Sequence, residues 1–214
     1  MWLKICGIQT EKNGILLAER RVDALGLNRY PDSSRFLSDT KARAISFSVH
    51  RTNPNVDRVG IYVNEPVDSI KNDIDNFDLD VVQLHGDEPP EQVTELSASS
   101  RVIKAFAVGP DFDETVFTRY NPWAFLLDAH VPGKYGGTGT TAPWKRIRAW
   151  AQDQKIILAG GLNPDNFQTA ARTAKPWGLD FNSELETEEG RKDPVKLRRL
   201  LKQYEAMENE TSTE

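Results

Sequence analysis

Short apolar runs rich in Val, Ile, Leu and Phe recur about every 20–30 residues along the chain, and polar segments of helical character separate them. The runs predict strands near Leu3–Cys6, Ala24–Leu27, Arg58–Val63, Asp80–Leu84, Val102–Ala107, Ala124–Asp128, Lys155–Ala159 and Gly178–Asn182. Between them Ser38-Asp39-Thr40, Glu65-Pro66, Glu88-Pro89-Pro90, Asp111, Ala142-Pro143, Asn163-Pro164 and Asp193-Pro194 mark helix starts. Proline is tolerated in a first helical turn because that N–H has no intrahelical partner. No Pro/Ser-rich linker divides the chain, so residues 1–204 read as one domain. Residues 205–214 are polar and acidic without period, which predicts a disordered tail.

Eight strand–helix alternations in one compact length predict an α/β fold of the (β/α)8 TIM barrel type. The rival is a doubly wound sheet, which would be expected to carry a glycine-rich turn after its first strand. Here Gly7-Ile8-Gln9-Thr10 has one glycine and no G-x-G-x-x-G pattern. In a barrel the chemistry lies at the C-terminal ends of the strands. Cys6, Asp128, Gly160-Gly161 and Asn182-Ser183 all fall there.

Composition narrows the function. The 214 residues are 38% hydrophobic, enough for a sizeable core, and the net charge of −5 argues against a broad nucleic-acid surface. No apolar stretch approaches the roughly 18 residues that span a bilayer. The N-terminal segment lacks the layout of a signal peptide. With one cysteine and no Cys/His cluster, neither an internal disulfide nor a structural zinc site is expected. A cytoplasmic protein without metal or cofactor is the simplest reading.

Cys6 is the sole cysteine and ends the first strand at a glycine turn. A thiol there reads either as a small buried hydrophobe or as a proton-transfer group. Asp128 ends an apolar run, where a carboxylate must be solvated, paired or functional. Opposite Cys6 across a barrel mouth it is a candidate acid. Gly136-Gly137-Thr138-Gly139, Gly160-Gly161 and Asn182-Ser183 follow strands six, seven and eight. Barrels frequently bind phosphate after strands seven and eight, although glycine-rich loops also serve as plain turns. Arg35, past the second strand, is a solvated charge or a fork for a substrate carboxylate. His85, at the tip of strand four, is a pocket hydrogen-bonder or a rim histidine. Strand alternation puts Lys4 on the face of Cys6, and Asp180 on that of Asn182. Strands one and eight are neighbours in a closed barrel, so Lys4 and Asp180 are expected to pair inside it.

Several stretches together resemble phosphoribosylanthranilate isomerase of tryptophan biosynthesis over about residues 2–202. They are Lys4-Ile5-Cys6-Gly7-Ile8, Val59-Gly60-Ile61-Tyr62-Val63-Asn64, Val82-Gln83-Leu84-His85-Gly86-Asp87-Glu88, Leu126-Leu127-Asp128, Gly136-Gly137-Thr138-Gly139, Leu158-Ala159-Gly160-Gly161-Leu162-Asn163-Pro164 and Lys192-Asp193. The resemblance implies an Amadori rearrangement of N-(5-phosphoribosyl)anthranilate to 1-(2-carboxyphenylamino)-1-deoxyribulose 5-phosphate, with no cofactor. It implies Asp128 as general acid, Cys6 as general base and Arg35 facing the anthranilate carboxylate. Gln83 and His85 are then expected to bind substrate, and Gly137, Gly139, Gly160, Gly161, Asn182 and Ser183 to bind phosphate. The expected partner is a small phosphorylated molecule, taken up by a monomer or weak homodimer, with no nucleic acid and no membrane. An isomerase for another phosphorylated aminosugar, or a phosphosugar-binding paralogue without turnover, stands as the alternative. Two segments depart from the family pattern. Glu184 replaces a glycine and is expected to turn outward toward Arg191 or Lys192. Leu27-Asn28-Arg29-Tyr30 replaces a more aromatic segment on the aryl side of the pocket.

Overall fold

The structure, a computed structural model, describes residues 1–109, 111–128 and 144–211. The eight apolar runs form β1 (Trp2–Ile5), β2 (Ala24–Asn28), β3 (Asp57–Tyr62), β4 (Val81–Leu84), β5 (Arg101–Ala107), β6 (Ala124–Asp128), β7 (Ile156–Ala159) and β8 (Gly178–Phe181). They pair in parallel in chain order, and β8 pairs back onto β1, which closes the barrel. The helices are α1 (Glu11–Ala18), α2 (Asp39–Thr52), α3 (Val67–Phe77), α4 (Pro90–Ser97), α5 (Val116–Arg119), α6 (Trp144–Trp150), α7 (Phe167–Ala174) and α8 (Pro194–Thr211). None of the described helices is long and apolar enough to cross a membrane.

Local chemistry explains several helix boundaries. The Thr10 hydroxyl accepts the Asn13 N–H to start α1, and the Asp193 carboxylate accepts the Val195 N–H at 2.7 Å to start α8. Helix α4 has proline in its first turn, and α3 stops at Asp78, which takes a left-handed conformation. Two helix starts differ from expectation. Asp111 lies in a loop, and α5 is a single short helix beginning at Val116. The start placed at Ala142-Pro143 lies outside the described residues.

Alternate strand residues separate two cores. Outward residues such as Leu25, Leu27, Val82, Phe125 and Leu158 pack beneath the helices. Inward residues Ala24, Val59, Val81, Ile103, Leu126 and Ile157 fill the barrel. Trp2, Trp123 and Trp177 pack against this filling where β1, β6 and β8 begin, with Trp2 and Trp177 stacked at 5.2 Å. The N-terminal end of the barrel is therefore plugged, and its open end is at the strand C-termini.

Residues 205–211 are not a disordered tail: α8 continues through them to Thr211, and residues 212–214 lie outside the described residues. Met207 is buried, Tyr204 donates to the Met1 carbonyl, and the Met1 ammonium meets Glu208 at 2.7 Å. Apolar anchors four and three residues apart, Leu200, Tyr204 and Met207, keep the helical face in contact despite the acidic surroundings. A further element was not foreseen. After a one-turn 3-10 helix (Ser183–Leu185), β9 (Glu186–Glu188) and β10 (Arg191–Lys192) form a small antiparallel hairpin beside the barrel mouth.

Candidate active site

A cavity of about 360 Å³ opens at the strand C-termini. Cys6 after β1, Gln83 and His85 at the end of β4, and Asp128 at the end of β6 line it. Gly160 and Gly161 after β7, together with Asn182 and Ser183 after β8, form another part of the same wall. The fold thus gathers eight of the expected site residues. Gly137 and Gly139 lie outside the described residues. Arg35 is not among the lining residues; it stands behind the mouth, with its guanidinium forked onto Glu186.

Strand geometry delivers the thiol. The Cys6 N–H donates to the Phe181 carbonyl at 2.8 Å, which extends the β1–β8 ladder by one bond. Gly7 then turns with φ +71°, and a β-carbon there would lie 2.6 Å from Asn182 Oδ1 and 2.9 Å from Arg35 Cδ. Only glycine satisfies both the conformation and the contact. Cys6 is 6% exposed. Burial pushes its pKa up, while the ammonium of Lys4, and then that of Lys192, pulls against the shift.

Lys4 and Asp180 form the expected ion pair, Nζ to Oδ2 at 2.9 Å, with Lys4 wholly buried. They are register partners across β1 and β8. Burial alone would lower the Lys4 pKa, but Asp180 and Cys6 outweigh it and raise it. Burial also acts against the Asp180 anion, whose pKa is raised. At this separation the ammonium keeps the pair ionic. Asp180 Oδ1, buried at the cavity, has no hydrogen-bond partner among the described residues.

Gln83 Nε2 lies 3.0 Å from His85 Nδ1. With the amide donating, Nδ1 is the acceptor and the neutral ring carries its proton on Nε2. Solvent reaches His85 through the mouth, yet desolvation by the surrounding wall lowers its pKa, with Asp128 opposing. The turn that carries His85 is pinned from outside the barrel. Glu88 accepts the Asn64 and Gly86 N–H groups at 2.9 and 3.0 Å, and Lys104 meets Glu88 at 3.0 Å.

A second charged cluster borders the mouth. Glu186 accepts Arg35 Nε at 2.9 Å and Nη2 at 2.6 Å, Lys192 Nζ at 2.8 Å and the Gly190 N–H at 3.1 Å. Burial alone would raise its pKa, but Arg35 and Lys192 prevail and pull it down to about 2. Arg35 Nη1 keeps only a 3.4 Å contact with the exposed Glu189.

One expectation is corrected here, and one segment is resolved residue by residue. Glu184 is half-buried on the cavity wall rather than turned outward. Its expected partners are engaged elsewhere, Arg191 by Glu188 at 3.1 Å and Lys192 by Glu186. The 3-10 turn carries Glu184 along the mouth, and the hairpin presents other carboxylates to the two cations. Arg29 does not face the pocket. It donates to Asp73 at 2.9 Å and Asp39 at 2.7 Å and lies over the Phe77 ring at 4.8 Å. Its strand neighbours Asn28 and Tyr30 line the cavity instead.

The family model for N-(5'-phosphoribosyl)anthranilate (PRA) isomerase matches residues 3–203. The chain belongs to this family. It is 40% identical over 199 residues to the N-(5'-phosphoribosyl)anthranilate isomerase of Syntrophus aciditrophicus, covering 93% of this chain and 85% of that one. It superposes on the Thermotoga maritima phosphoribosyl anthranilate isomerase with a TM-score of 0.87 at 34% identity, covering 96% of this chain and 99% of that chain. Another phosphoribosyl anthranilate isomerase, solved with reduced 1-(O-carboxyphenylamino)-1-deoxyribulose 5-phosphate, gives a TM-score of 0.83 at 32% identity over 94% of this chain and 97% of that chain.

For a member of the PRA isomerase family, the segment that the sequence put on the aryl side of the pocket lines the wall through Asn28 and Tyr30, which had not been singled out, and among the polar wall residues Ser33 was missed. Period-two alternation could have found Asn28, because it shares the inward face of β2 with Ala24 and Gly26. Tyr30 and Ser33 stand in a loop, where no periodicity exists to find them. Among the described residues no group of His, Cys, Asp and Glu side chains is arranged to hold a metal ion.

Proposed function

We propose that Cys6 and Asp128 are the base and acid of a PRA isomerase that converts N-(5-phosphoribosyl)anthranilate to 1-(2-carboxyphenylamino)-1-deoxyribulose 5-phosphate in tryptophan biosynthesis. The observation that carries the assignment is that both line one cavity, from the ends of β1 and β6, in a chain of this family. Asp128 donates a proton to the ribose ring oxygen, and the ring opens to an iminium. The Cys6 thiolate then removes the C2′ proton to give an enolamine, which tautomerises to the ketone. Both steps are proton transfers, for which two correctly placed groups suffice.

Gly160, Gly161, Asn182 and Ser183 hold the phosphate at the wall formed after β7 and β8. Gln83 and His85 face the ribose. Arg35, which does not line the cavity as it stands, reaches the anthranilate carboxylate only by turning Nη1, the nitrogen that the Glu186 fork leaves least engaged, away from Glu189. The reading is of a monomer or weak homodimer working in the cytoplasm. Expression in a tryptophan auxotroph lacking this single step tests the reading. Growth without tryptophan is expected. Failure to grow with folded protein present would direct the site to a different phosphorylated aminosugar.

A further inference from the structure

Lys192 lies within a stretch shared with the family, yet it is neither the acid nor the base; it sits in the hairpin between β8 and α8. Its side chain is fully buried. Nζ is 3.0 Å from the Asn182 carbonyl, 2.9 Å from Asn182 Oδ1 and 2.8 Å from Glu186 Oε1. All three neighbours are acceptors, a setting that matches the three hydrogens of an ammonium, and Glu186 supports that charge against burial, which lowers the Lys192 pKa. The clasp on Asn182 is double, backbone and side chain together. Asn182 joins β8 to the 3-10 turn with φ −140° and ψ −99°, belonging to neither element. It lines the cavity beside Cys6.

The clasp also borders the turn that follows the thiol. A β-carbon on Gly7 would meet Asn182 Oδ1 first, then Arg35 Cδ, then Lys192 Nζ at 3.4 Å. Cys6 therefore has charged groups on several sides. Lys4 and Asp180 face it from β1 and β8, and Lys192 and Arg35 face it from the hairpin and the loop after β2. The Lys4 charge is matched by Asp180. Lys192 and Arg35 share one buried carboxylate, Glu186, while Glu189, the other carboxylate on Arg35, is exposed and screened by solvent. The buried part of this side therefore carries a surplus positive charge. Asp128, His85 and the half-buried Glu184 line the same cavity from β6, β4 and the 3-10 turn.

We propose that Lys192 is a positioning residue for the base: it clasps Asn182 beside the Cys6–Gly7 turn and brings to the thiol the surplus positive charge under which a thiolate forms. The proposal rests on the reading of Cys6 as the base. Burial acts against the thiolate, and the Lys192 charge is one of the forces that oppose it. Glu186 moderates that charge.

Cys6 is the only cysteine, so alkylation by iodoacetamide reports on this thiol alone. The pH dependence of the rate measures thiolate formation without any substrate. Lys192→Gln keeps an amide donor and removes the charge. It should slow alkylation about tenfold at fixed pH below the midpoint, an upward move of about one pH unit. Glu186→Gln removes the moderating carboxylate and should move the midpoint down. Lys192→Arg keeps the charge and should shift it less than Lys192→Gln. In turnover, Lys192→Gln should lower kcat by about tenfold with KM changed by less than about threefold.

Opposite shifts in the two glutamine variants support the proposal, because general loosening of the site would move both the same way. Unchanged midpoints or shifts of one sign, in variants with the parental circular dichroism, overturn it. If Lys192→Gln does not fold, Glu186→Gln decides alone: a downward shift supports the proposal and any other result overturns it. A parent protein inactive on N-(5-phosphoribosyl)anthranilate that still shows opposed shifts would remove the functional reading and leave the electrostatic one standing.

Discussion

Cys6 does its proposed work against its surroundings, since burial raises the pKa of a group that must become an anion. Serine is nearly isosteric with cysteine but is a far weaker base, so Cys6→Ser should keep the fold and lose about 10²–10⁴-fold in kcat. Near-parental kcat would return Cys6 to a packing role. Asp128→Asn keeps shape and polarity but cannot deliver a proton. It should retain substrate binding and lose ring opening. Weak binding with a normal saturated rate would assign Asp128 to positioning instead. Glu184 stands where the family pattern read in the sequence has a glycine, and the residue lines the cavity beside the proposed phosphate wall. Like charges about 5 Å apart repel by a few kcal/mol at an effective dielectric near 20. Glu184→Gln should therefore lower KM several-fold with kcat unchanged. A higher KM would mean that the carboxylate receives a hydrogen bond from the substrate.

Elements act through what they carry to the mouth. The β1–β8 seam holds Lys4 and Asp180 in register beneath Cys6. Lys4→Met leaves a buried carboxylate without its cation, and should cost on the order of 3–5 kcal/mol in urea unfolding. Adding Asp180→Leu should recover most of that loss. A cost below about 1 kcal/mol for Lys4→Met would deny the pair its structural role. The β9–β10 hairpin carries Glu186, whose folded pKa of about 2 lies below the ordinary carboxylate value of 4.5. The stabilisation linked to this depression is complete above the unfolded pKa. It is lost as pH falls from about 4.5 toward about 2. In Glu186→Gln the acid-induced loss of stability over that window should be shallower than in the parent. An identical profile would show that Glu186 is not coupled to folding.

Across the whole molecule, the parts legible in the sequence are those set by period. Alternation of apolar residues predicts all eight strands, and parity predicts the Lys4–Asp180 pair. Strand ends predict that Cys6, His85, Asp128, Gly160, Gly161, Asn182 and Ser183 meet at one opening, and the family resemblance adds Gln83. What stayed hidden depends on contacts between distant segments. The C-terminal helix continues through an acidic stretch because Tyr204, Met207 and Glu208 find partners at the N-terminus and in the core. The cluster of Arg35, Glu186 and Lys192 joins a loop near residue 35 to a hairpin about 150 residues later, with no local signal in either. Glu184 was misplaced for the same reason: the direction of a loop or turn side chain depends on which neighbours are already paired. The central claim is that this barrel isomerises N-(5-phosphoribosyl)anthranilate with Cys6 and Asp128. Its most direct test is to supply that substrate, freshly condensed from anthranilate and ribose 5-phosphate, to purified parent, Cys6→Ser and Asp128→Asn proteins and to follow formation of the ketose product by chromatography. The parent should form product at many turnovers per chain, Cys6→Ser should be slower by about 10²–10⁴-fold, and Asp128→Asn should form none above background. A folded parent that forms no product, or variants that match its rate, would contradict the account.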